Sequence, residues 1–158
     1  MGKKEEKTNV MRILDQKKIA YTPYSYSAEY TEGVKIAAAL GEEESAVFKT
    51  LVTKSGTGNH YVFVIPVAKT LDLKAAAKAV GEKSVNMLLQ KDLLPLTGYI
   101  HGGCSPVGMK KAFPTVIDKS AENLERFFVS AGRVGRQIEV DPRAIAKLIN
   151  ARFENLTI

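Results

Sequence analysis

The sequence predicts an α+β fold in which a curled, mixed but mostly antiparallel sheet forms a half-barrel with helices packed outside. Many of its segments are short and have strand character, and helical segments do not alternate regularly with them, as they would around a parallel sheet. The length of 158 residues is typical of one compact core. We therefore expect a single domain over residues 1–158.

The first segments predict two helices around an extended stretch. Thr8 is a candidate N-cap for a helix through "TNVMRILDQKK", which has one apolar face. "IAYTPYSYS" alternates and contains a proline, which indicates an edge strand or an extended segment. "GVKIAAALG" predicts a second helix that ends at Gly41.

A hairpin and a third helix follow. The strands "AVFKTLVTK" and "HYVFVIPV" flank the turn-rich "SGTGN". "LDLKAAAKAVG" has the clearest helical pattern, with Asp72 near its start and Gly81 after its end.

The second half predicts short strands before a closing helix. Asp141 caps that helix, "DPRAIAKLINARF", and Pro142 takes its first position. The preceding segments read mostly as short strands: "SVNML", "KDLLPLTG", "GYI", "TVIDKS", "ERFFVSAG" and "RQIEV". A curled sheet of this kind leaves a cleft on its inner face, where we expect the ligand site.

The composition limits the cellular compartments and the classes of partner that we expect for this protein. The net charge is +6 and the pI is about 9.4, which favours anionic partners, although the basic residues are spread along the chain. No apolar stretch is long enough to span a bilayer, and "MGKKEEKTN" lacks the apolar segment of a secretory signal. One cysteine excludes an internal disulfide. We expect a cytoplasmic protein with no membrane partner.

The stretch "YIHGGCSPVGMK" is the first candidate site. Gly102 and Gly103 let backbone N–H groups approach a ligand closely, and Ser105 and Pro106 complete the loop. Such a turn can form an anion nest or an oxyanion hole. The alternative is a tight connection between strands without a ligand.

Cys104 lies inside this loop. A nucleophilic cysteine needs a nearby base, and the candidates His60 and His101 are not placed beside the sulfur by the strand pattern. We therefore expect a small buried residue, and one cysteine with two separated histidines predicts neither a metal site nor a cofactor.

Lys49 is a charge within a strand that is apolar on both faces. Alternation places it with Val47 and Leu51, opposite Phe48 and Thr50. Such a lysine either snorkels to the sheet edge or points into a polar cleft, where it could hold a phosphate or an oxyanion.

Two further groups are less specific. Ser130 and Gly132 in "VSAG" form a second corner of small residues. A cluster of tyrosines can stack on unpaired bases or simply pack: Tyr21, Tyr24, Tyr26 and Tyr30.

Five stretches, in order and with sensible spacing, resemble the YbaK family of free-standing aminoacyl-tRNA editing proteins, the Cys-tRNA(Pro) deacylases. They are "VFKTLV", "IPVAKTLDLKAAAKAVG", "LTGYIHGGCSPVGMKK", "PTVIDKS" and "FVSAGRVGRQIEV". The resemblance runs from about Thr8 to about Phe153. The chain also resembles, at greater distance, the inserted editing domain of bacterial prolyl-tRNA synthetase.

The resemblance implies both a fold and a reaction. The fold is a mixed sheet wrapped by helices. The reaction is hydrolysis of the ester that joins a wrongly attached amino acid to the acceptor end of tRNA(Pro), with the substrate thiol attacking its own carbonyl. The resemblance also implies prolyl-tRNA synthetase as a partner, and it implies no cofactor.

The resemblance implies site residues as well. Lys49 matches the key lysine, and Gly102 to Pro106 match the Gly-x-x-x-Pro loop. Tyr26, Thr50 and Ser130 match pocket positions. Gln137 stands where some members carry an aspartate, so it receives no acid role. Cys104 stands where relatives have other residues such as isoleucine, which favours a loop that acts through its backbone.

Three alternatives stay open at the level of sequence. The chain could remove alanine from tRNA(Pro) or act on another mischarged tRNA. It could bind tRNA or a nucleotide without turnover. It could use Lys49 to form a Schiff base.

Overall fold

The structure, a computed structural model, describes residues 6–158, so residues 1–5 of the predicted domain lie outside the described residues. The helices are α1 (Asn9–Gln16), α2 (Gly33–Leu40), α3 (Leu73–Ala79), α4 (Gln90–Thr97) and α5 (Pro142–Ile149), with 3-10 turns at Glu44–Ala46 and Lys119–Ala121. The strands are β1 (Tyr21–Ser25), β2 (Phe48–Ser55), β3 (His60–Pro66), β4 (Val85–Met87), β5 (Thr115–Asp118), β6 (Phe127–Ser130), β7 (Arg136–Val140) and β8 (Arg152–Glu154). None of the helices described over residues 6–158 combines the length and the apolar character needed to cross a bilayer.

The strands form two sheets, with the orders β1-β7-β6 and β4-β2-β3-β5-β8. The β3–β5 and β5–β8 pairs are parallel, and the other pairs described over residues 6–158 are antiparallel. A bridge between Val47 and Phe128 joins the two sheets into one open surface. The predicted α+β half-barrel with a mixed, mostly antiparallel sheet is confirmed.

Short polar side chains cap three of the helices, α1, α3 and α5, at the positions that the sequence predicts. The Thr8 hydroxyl accepts a hydrogen bond from the Met11 N–H at 3.3 Å. Asp72 caps α3, and Asp141 accepts from the Arg143 N–H at 2.8 Å at the start of α5. These oxygens satisfy N–H groups that have no acceptor within the helix.

The segments expected mostly as short strands include one helix, because "KDLLPLTG" belongs to α4. Pro95 lies inside the helix and weakens its helical pattern in the sequence. The helix is nevertheless closed normally. The Thr97 hydroxyl donates to the Leu93 carbonyl at 2.8 Å, and Gly98 follows with φ +86°.

Two more boundaries differ from the predictions. The closing helix does not reach Phe153: it ends at Ile149, because Asn150 has a left-handed backbone with φ +55°. The chain then forms β8, which pairs with β5. "GYI" was expected as a strand, but Tyr99 and Ile100 have no regular structure.

The main core packs one face of each sheet against α1 and α5. Its fully buried members include Leu14, Val64, Val129, Ile138 and Ile145. This core fills most of the face that the two sheets share. On the opposite face, α3 covers one half, and Ala37 of α2 packs with Val47, Val67 and Phe128.

Candidate active site

A cavity of about 400 Å³ lies where β2 and β6 separate. Its walls are residues 47–51 of β2, residues 31–34 at the start of α2, and the loop that carries His101, Gly102 and Cys104. Ser130 and Gln137 contribute from the smaller sheet. The cavity therefore joins four parts of the chain that are distant in sequence.

The cavity exists because β2 lacks a partner along part of one edge. β4 pairs only with Thr53–Ser55. The Val67 N–H donates to the Val47 carbonyl at 2.9 Å, so the peptide groups of alternate residues from Val47 onward turn toward β3. The peptide group of Thr50 consequently turns toward the open edge.

Lys49 enters this cavity from β2. Its side chain is half-buried and leaves the strand on the same face as Val47 and Leu51, as alternation predicts. Within residues 6–158 it makes no ion pair or hydrogen bond, and burial holds the pKa of its ammonium below its usual value. Of the two sequence interpretations, the structure supports the lysine in a cleft.

The glycine loop reaches the same cavity through Gly102, whose φ of +88° favours glycine. A Cβ there would lie 3.1 Å from the Thr31 Cβ. The Gly103 N–H donates to the Ile100 carbonyl at 3.0 Å, whereas the N–H groups of Gly102 and Cys104 have no acceptor within residues 6–158. The backbone donors open to a ligand are thus Gly102 and Cys104, and Gly103 holds the turn.

The rest of the loop supports the cavity from behind. Ser105 and Pro106 are buried and do not line it, and the Ser105 hydroxyl accepts from the Val107 N–H at 3.2 Å. Gly132 has φ +95° and donates its N–H to the Ser130 hydroxyl at 3.1 Å. Both interactions fix loops rather than touch a ligand.

Cys104 lines the cavity but is held as a neutral thiol. Its side chain is 9% exposed, and burial raises the pKa of the thiol to about 12. A thiol with this pKa is protonated at neutral pH, which argues against a nucleophilic role. The Tyr99 hydroxyl donates to the Val107 carbonyl and steadies the segment that follows.

Ser130 and Gln137 contribute polar side chains to the cavity from the smaller sheet. They are paired in register between β6 and β7 and therefore share a face. Gln137 is only 3% exposed, and its Oε1 has no hydrogen-bond partner within residues 6–158. The Thr50 Oγ1 is likewise buried without a hydrogen-bond partner within residues 6–158. A buried acceptor without a donor costs stability, and a ligand that donates a hydrogen bond would recover it.

Tyr26, like the predicted residues Ser105, Pro106 and Gly132, does not line the cavity. Its hydroxyl is buried without a partner within residues 6–158, and its N–H donates to the Gly135 carbonyl at 3.0 Å. Of the other tyrosines, Tyr24 packs on Phe128 with ring centroids 5.4 Å apart, which is a packing role.

The start of α2 is the wall that sequence reasoning missed. A Cβ on Gly33 would lie 2.4 Å from the Val67 Cγ1, so only glycine lets the helix approach the sheet so closely. The available signal was a glycine at the first position of a helix. Glycine has a low helix propensity, so its presence there indicates a requirement such as close packing.

The sequence of this chain is similar to a known family and to known proteins. Residues 30–148 match the family model described as the aminoacyl-tRNA editing domain. A protein of Enterococcus faecalis with the provisional name Cys-tRNA(Pro)/Cys-tRNA(Cys) deacylase EbsC is 46% identical over 98% of this chain and 96% of its own. A proline–tRNA ligase of Trichlorobacter lovleyi is 24% identical over 74% of this chain, which corresponds to 22% of the ligase.

Solved structures share the fold. A crystal structure of a hypothetical protein superposes with a TM-score of 0.87 at 23% identity, covering 94% of this chain and 99% of the other. A provisional trans-editing enzyme for prolyl tRNA synthetase superposes with a TM-score of 0.82 at 21% identity, covering 98% and 99%.

Proposed function

The chain belongs to the aminoacyl-tRNA editing domain family, and on that premise we propose that it is a trans-editing hydrolase that deacylates mischarged Cys-tRNA(Pro). The observation that carries the proposal is a cavity that joins Lys49 to the N–H groups of Gly102 and Cys104, none of which has a partner within residues 6–158. The name of the Enterococcus relative supports cysteine as the amino acid removed.

Hydrolysis of an ester builds negative charge on the carbonyl oxygen. The N–H groups of Gly102 and Cys104 stabilise this oxyanion in a site partly shielded from water. Lys49 supplies the positive charge and holds the terminal nucleotide beside the loop. Gly103 contributes by fixing the turn, and Thr50, Ser130 and Gln137 contact the bound group.

No protein nucleophile is needed for a cysteine ester. The substrate sulfur attacks its own carbonyl carbon and forms a C–S bond, while the bond from that carbon to the ribose oxygen breaks. The proton from the thiol passes to the ribose oxygen, so a tRNA hydroxyl and a four-membered thiolactone leave, and water then opens the thiolactone. A neutral Cys104 fits this step, because it does not compete as a nucleophile.

The partners follow from the reaction. The acceptor end of tRNA(Pro) occupies the cavity, and prolyl-tRNA synthetase, which makes the error, is the expected source of substrate. Proline and cysteine are close in volume, and a pocket separates similar side chains by only about 1–3 kcal/mol, so a second site is required. We expect the protein to act in the cytoplasm, with residues 1–158 as one editing domain.

The test is deacylation of Cys-tRNA(Pro), Cys-tRNA(Cys), Ala-tRNA(Pro) and Ser-tRNA(Pro). The wild type should release cysteine rapidly, and Lys49→Ala should lose at least about 100-fold in rate with an unchanged circular dichroism spectrum. Lys54→Ala is the matched control, since Lys54 lies on the same strand but is exposed away from the cavity.

Each other outcome contradicts a stated part of the proposal. Rapid release of alanine would make the protein an alanine deacylase, and equal release of serine would exclude attack by the substrate thiol. Binding of tRNA without release of any amino acid would make it a binding module. Borohydride trapping of a carbonyl substrate on Lys49 would reveal a Schiff base.

A further inference from the structure

A second cavity, of about 490 Å³, lies at the edge of the larger sheet where β3, β5 and β8 begin. Tyr61, Val116 and Arg152 line it from these three strands, and Phe113 lines it from the segment before β5. Val116 and Arg152 are paired in register, so the Arg152 side chain leaves β8 on the same face as Val116. This cavity is separate from the candidate active site, because the two cavities share no lining residue.

The second cavity carries cations that have little opposite charge beside them. The Lys111 Nζ lies 6.0 Å from the centroid of the Phe113 ring, and Lys111 makes no ion pair within residues 6–158. Arg152 pairs with Glu154 at 3.7 Å, but both side chains are exposed, so this pair contributes little. Both cations are therefore available to an anionic partner.

His60 indicates that the electrostatic potential at this edge is positive. Its ring centroid lies 5.6 Å from that of Phe113. Burial lowers the pKa of the imidazole most, and the charges of Lys54 and Lys111 lower it further. On the opposite side of the cavity, the Tyr61 hydroxyl donates to the Glu82 carboxylate at 2.6 Å. The end with His60 and Lys111 therefore favours an anion.

The register fixes where Arg152 lies relative to Lys49. Lys49 pairs with Ile65 of β3. Phe63, two residues earlier on β3, pairs with Val116, which pairs in turn with Arg152. Lys49 and Arg152 consequently leave the larger sheet on the same face. Three strand spacings of about 4.8 Å and two residues of about 3.4 Å separate them, so they lie about 16 Å apart.

This separation matches the acceptor end of a tRNA. Successive phosphates of one nucleic acid strand in a helix are about 3.4 Å apart along the axis, so about 16 Å corresponds to about five nucleotides. That is the distance from the terminal nucleotide back to the junction of the single-stranded acceptor end with the acceptor stem. A tRNA whose terminal nucleotide lies beside Lys49 can therefore reach Arg152 with the backbone of its stem.

We propose that Lys111 and Arg152, at the second cavity, bind the phosphate backbone of the tRNA acceptor stem while the terminal nucleotide occupies the first cavity. This assignment rests on the proposed function and adds a second contact with the same substrate. Contacts with phosphates raise the affinity for tRNA without selecting its sequence. An acidic surface of a partner protein has similar charge, and the experiment below distinguishes it from RNA.

The experiment compares wild type with Lys111→Ala/Arg152→Ala on Cys-tRNA(Pro) and on a cysteinylated CCA trinucleotide. With the tRNA, KM should rise about tenfold at unchanged kcat, and the dependence of log Kd for uncharged tRNA(Pro) on log salt should become less steep by about 2. The trinucleotide lacks the stem, so its kcat/KM should not change. Lys119→Ala/Arg126→Ala is the control, because it removes the same net charge from exposed side chains outside both cavities.

An unchanged KM and salt dependence in Lys111→Ala/Arg152→Ala would overturn the assignment. An equal loss in the control variant would also overturn it, by showing a general effect of net charge, and an equal loss with the trinucleotide would locate the effect in the first cavity. A loss that appears only when prolyl-tRNA synthetase is added would show that the surface binds protein. A wild type that binds tRNA(Pro) through these two residues but deacylates nothing refutes the proposed function alone, and deacylation without this contrast refutes the stem contact alone.

Discussion

Lys49 and Cys104 both line the cavity, but burial acts on them in opposite ways. Burial lowers the pKa of the Lys49 ammonium, and it raises the pKa of the Cys104 thiol to about 12. In the proposed function the lysine holds the ligand. The cysteine offers only its backbone N–H and its volume.

We expect Cys104→Ser to retain deacylase turnover within about twofold of wild type, because a thiol with so high a pKa supplies no thiolate. Rates measured from pH 6 to 9 should give the same profile for both proteins. A profile that loses an ionisation step in the variant would assign that step to Cys104.

The same pKa shift has a consequence for stability. The folded thiol has a raised pKa, so the stability that its burial confers is present below the ordinary value of 9.0 and is lost as pH rises toward 12. Cys104→Ser should show less of this alkaline loss in urea unfolding.

For single residues, the sequence predicts the direction of a side chain better than it predicts which residues surround that side chain. Strand alternation places the Lys49 side chain on the correct face. It does not show that the opposite wall is the start of α2, because no local pattern encodes which helix covers a sheet edge. Gly103 is misjudged for a similar reason: its N–H is used inside the turn.

Among the elements, α2 contributes most to the site. Its start is held against the sheet by the missing side chain of Gly33, and its uncapped first turn is open to the cavity. The helix itself and its end at Gly41 follow from the sequence. Its role as a wall does not, because that depends on the contact with Val67, which is distant in the chain.

Gly33→Ala should destabilise the protein by about 1–3 kcal/mol and lower turnover, since the new Cβ would lie 2.4 Å from the Val67 Cγ1 and push the helix outward. Gly56→Ala is the control, because its Cβ would meet only the Ser84 Oγ at 3.2 Å. Urea unfolding and deacylation measure the two effects. Equal behaviour of the two variants would refute the close approach as the cause.

For the molecule as a whole, the fold class follows from segment type and order, whereas the division into two sheets does not. β8 is the clearest case. A three-residue strand after a helix resembles a frayed helix end in sequence, and only its partner β5 makes it a strand. Long-range pairing of this kind leaves no local periodicity to read.

Asp118 connects that end of the chain to the sheet. It is 5% exposed, and its carboxylate accepts from the Leu156 N–H at 3.0 Å and from the Ser120 hydroxyl at 2.6 Å. Asp118→Ala should cost about 2–4 kcal/mol in the free energy of unfolding, because it leaves the buried Leu156 N–H unpaired and removes the bond from the Ser120 hydroxyl.

The control for that variant is Asp72→Ala, which removes a local helix cap and should cost about 1 kcal/mol. Both are measured by urea denaturation. Similar losses would show that the bond to Leu156 adds nothing beyond a local cap.

The parallel pairs β3–β5 and β5–β8 also determine when the site can form. The β2–β3 hairpin closes locally on a scale of about microseconds, but parallel partners must be brought together across long intervening segments. The cavity needs α2, the glycine loop and β6–β7 in addition to that hairpin. We therefore expect the strand that carries Lys49 to form early during folding, before the cavity around this lysine is complete.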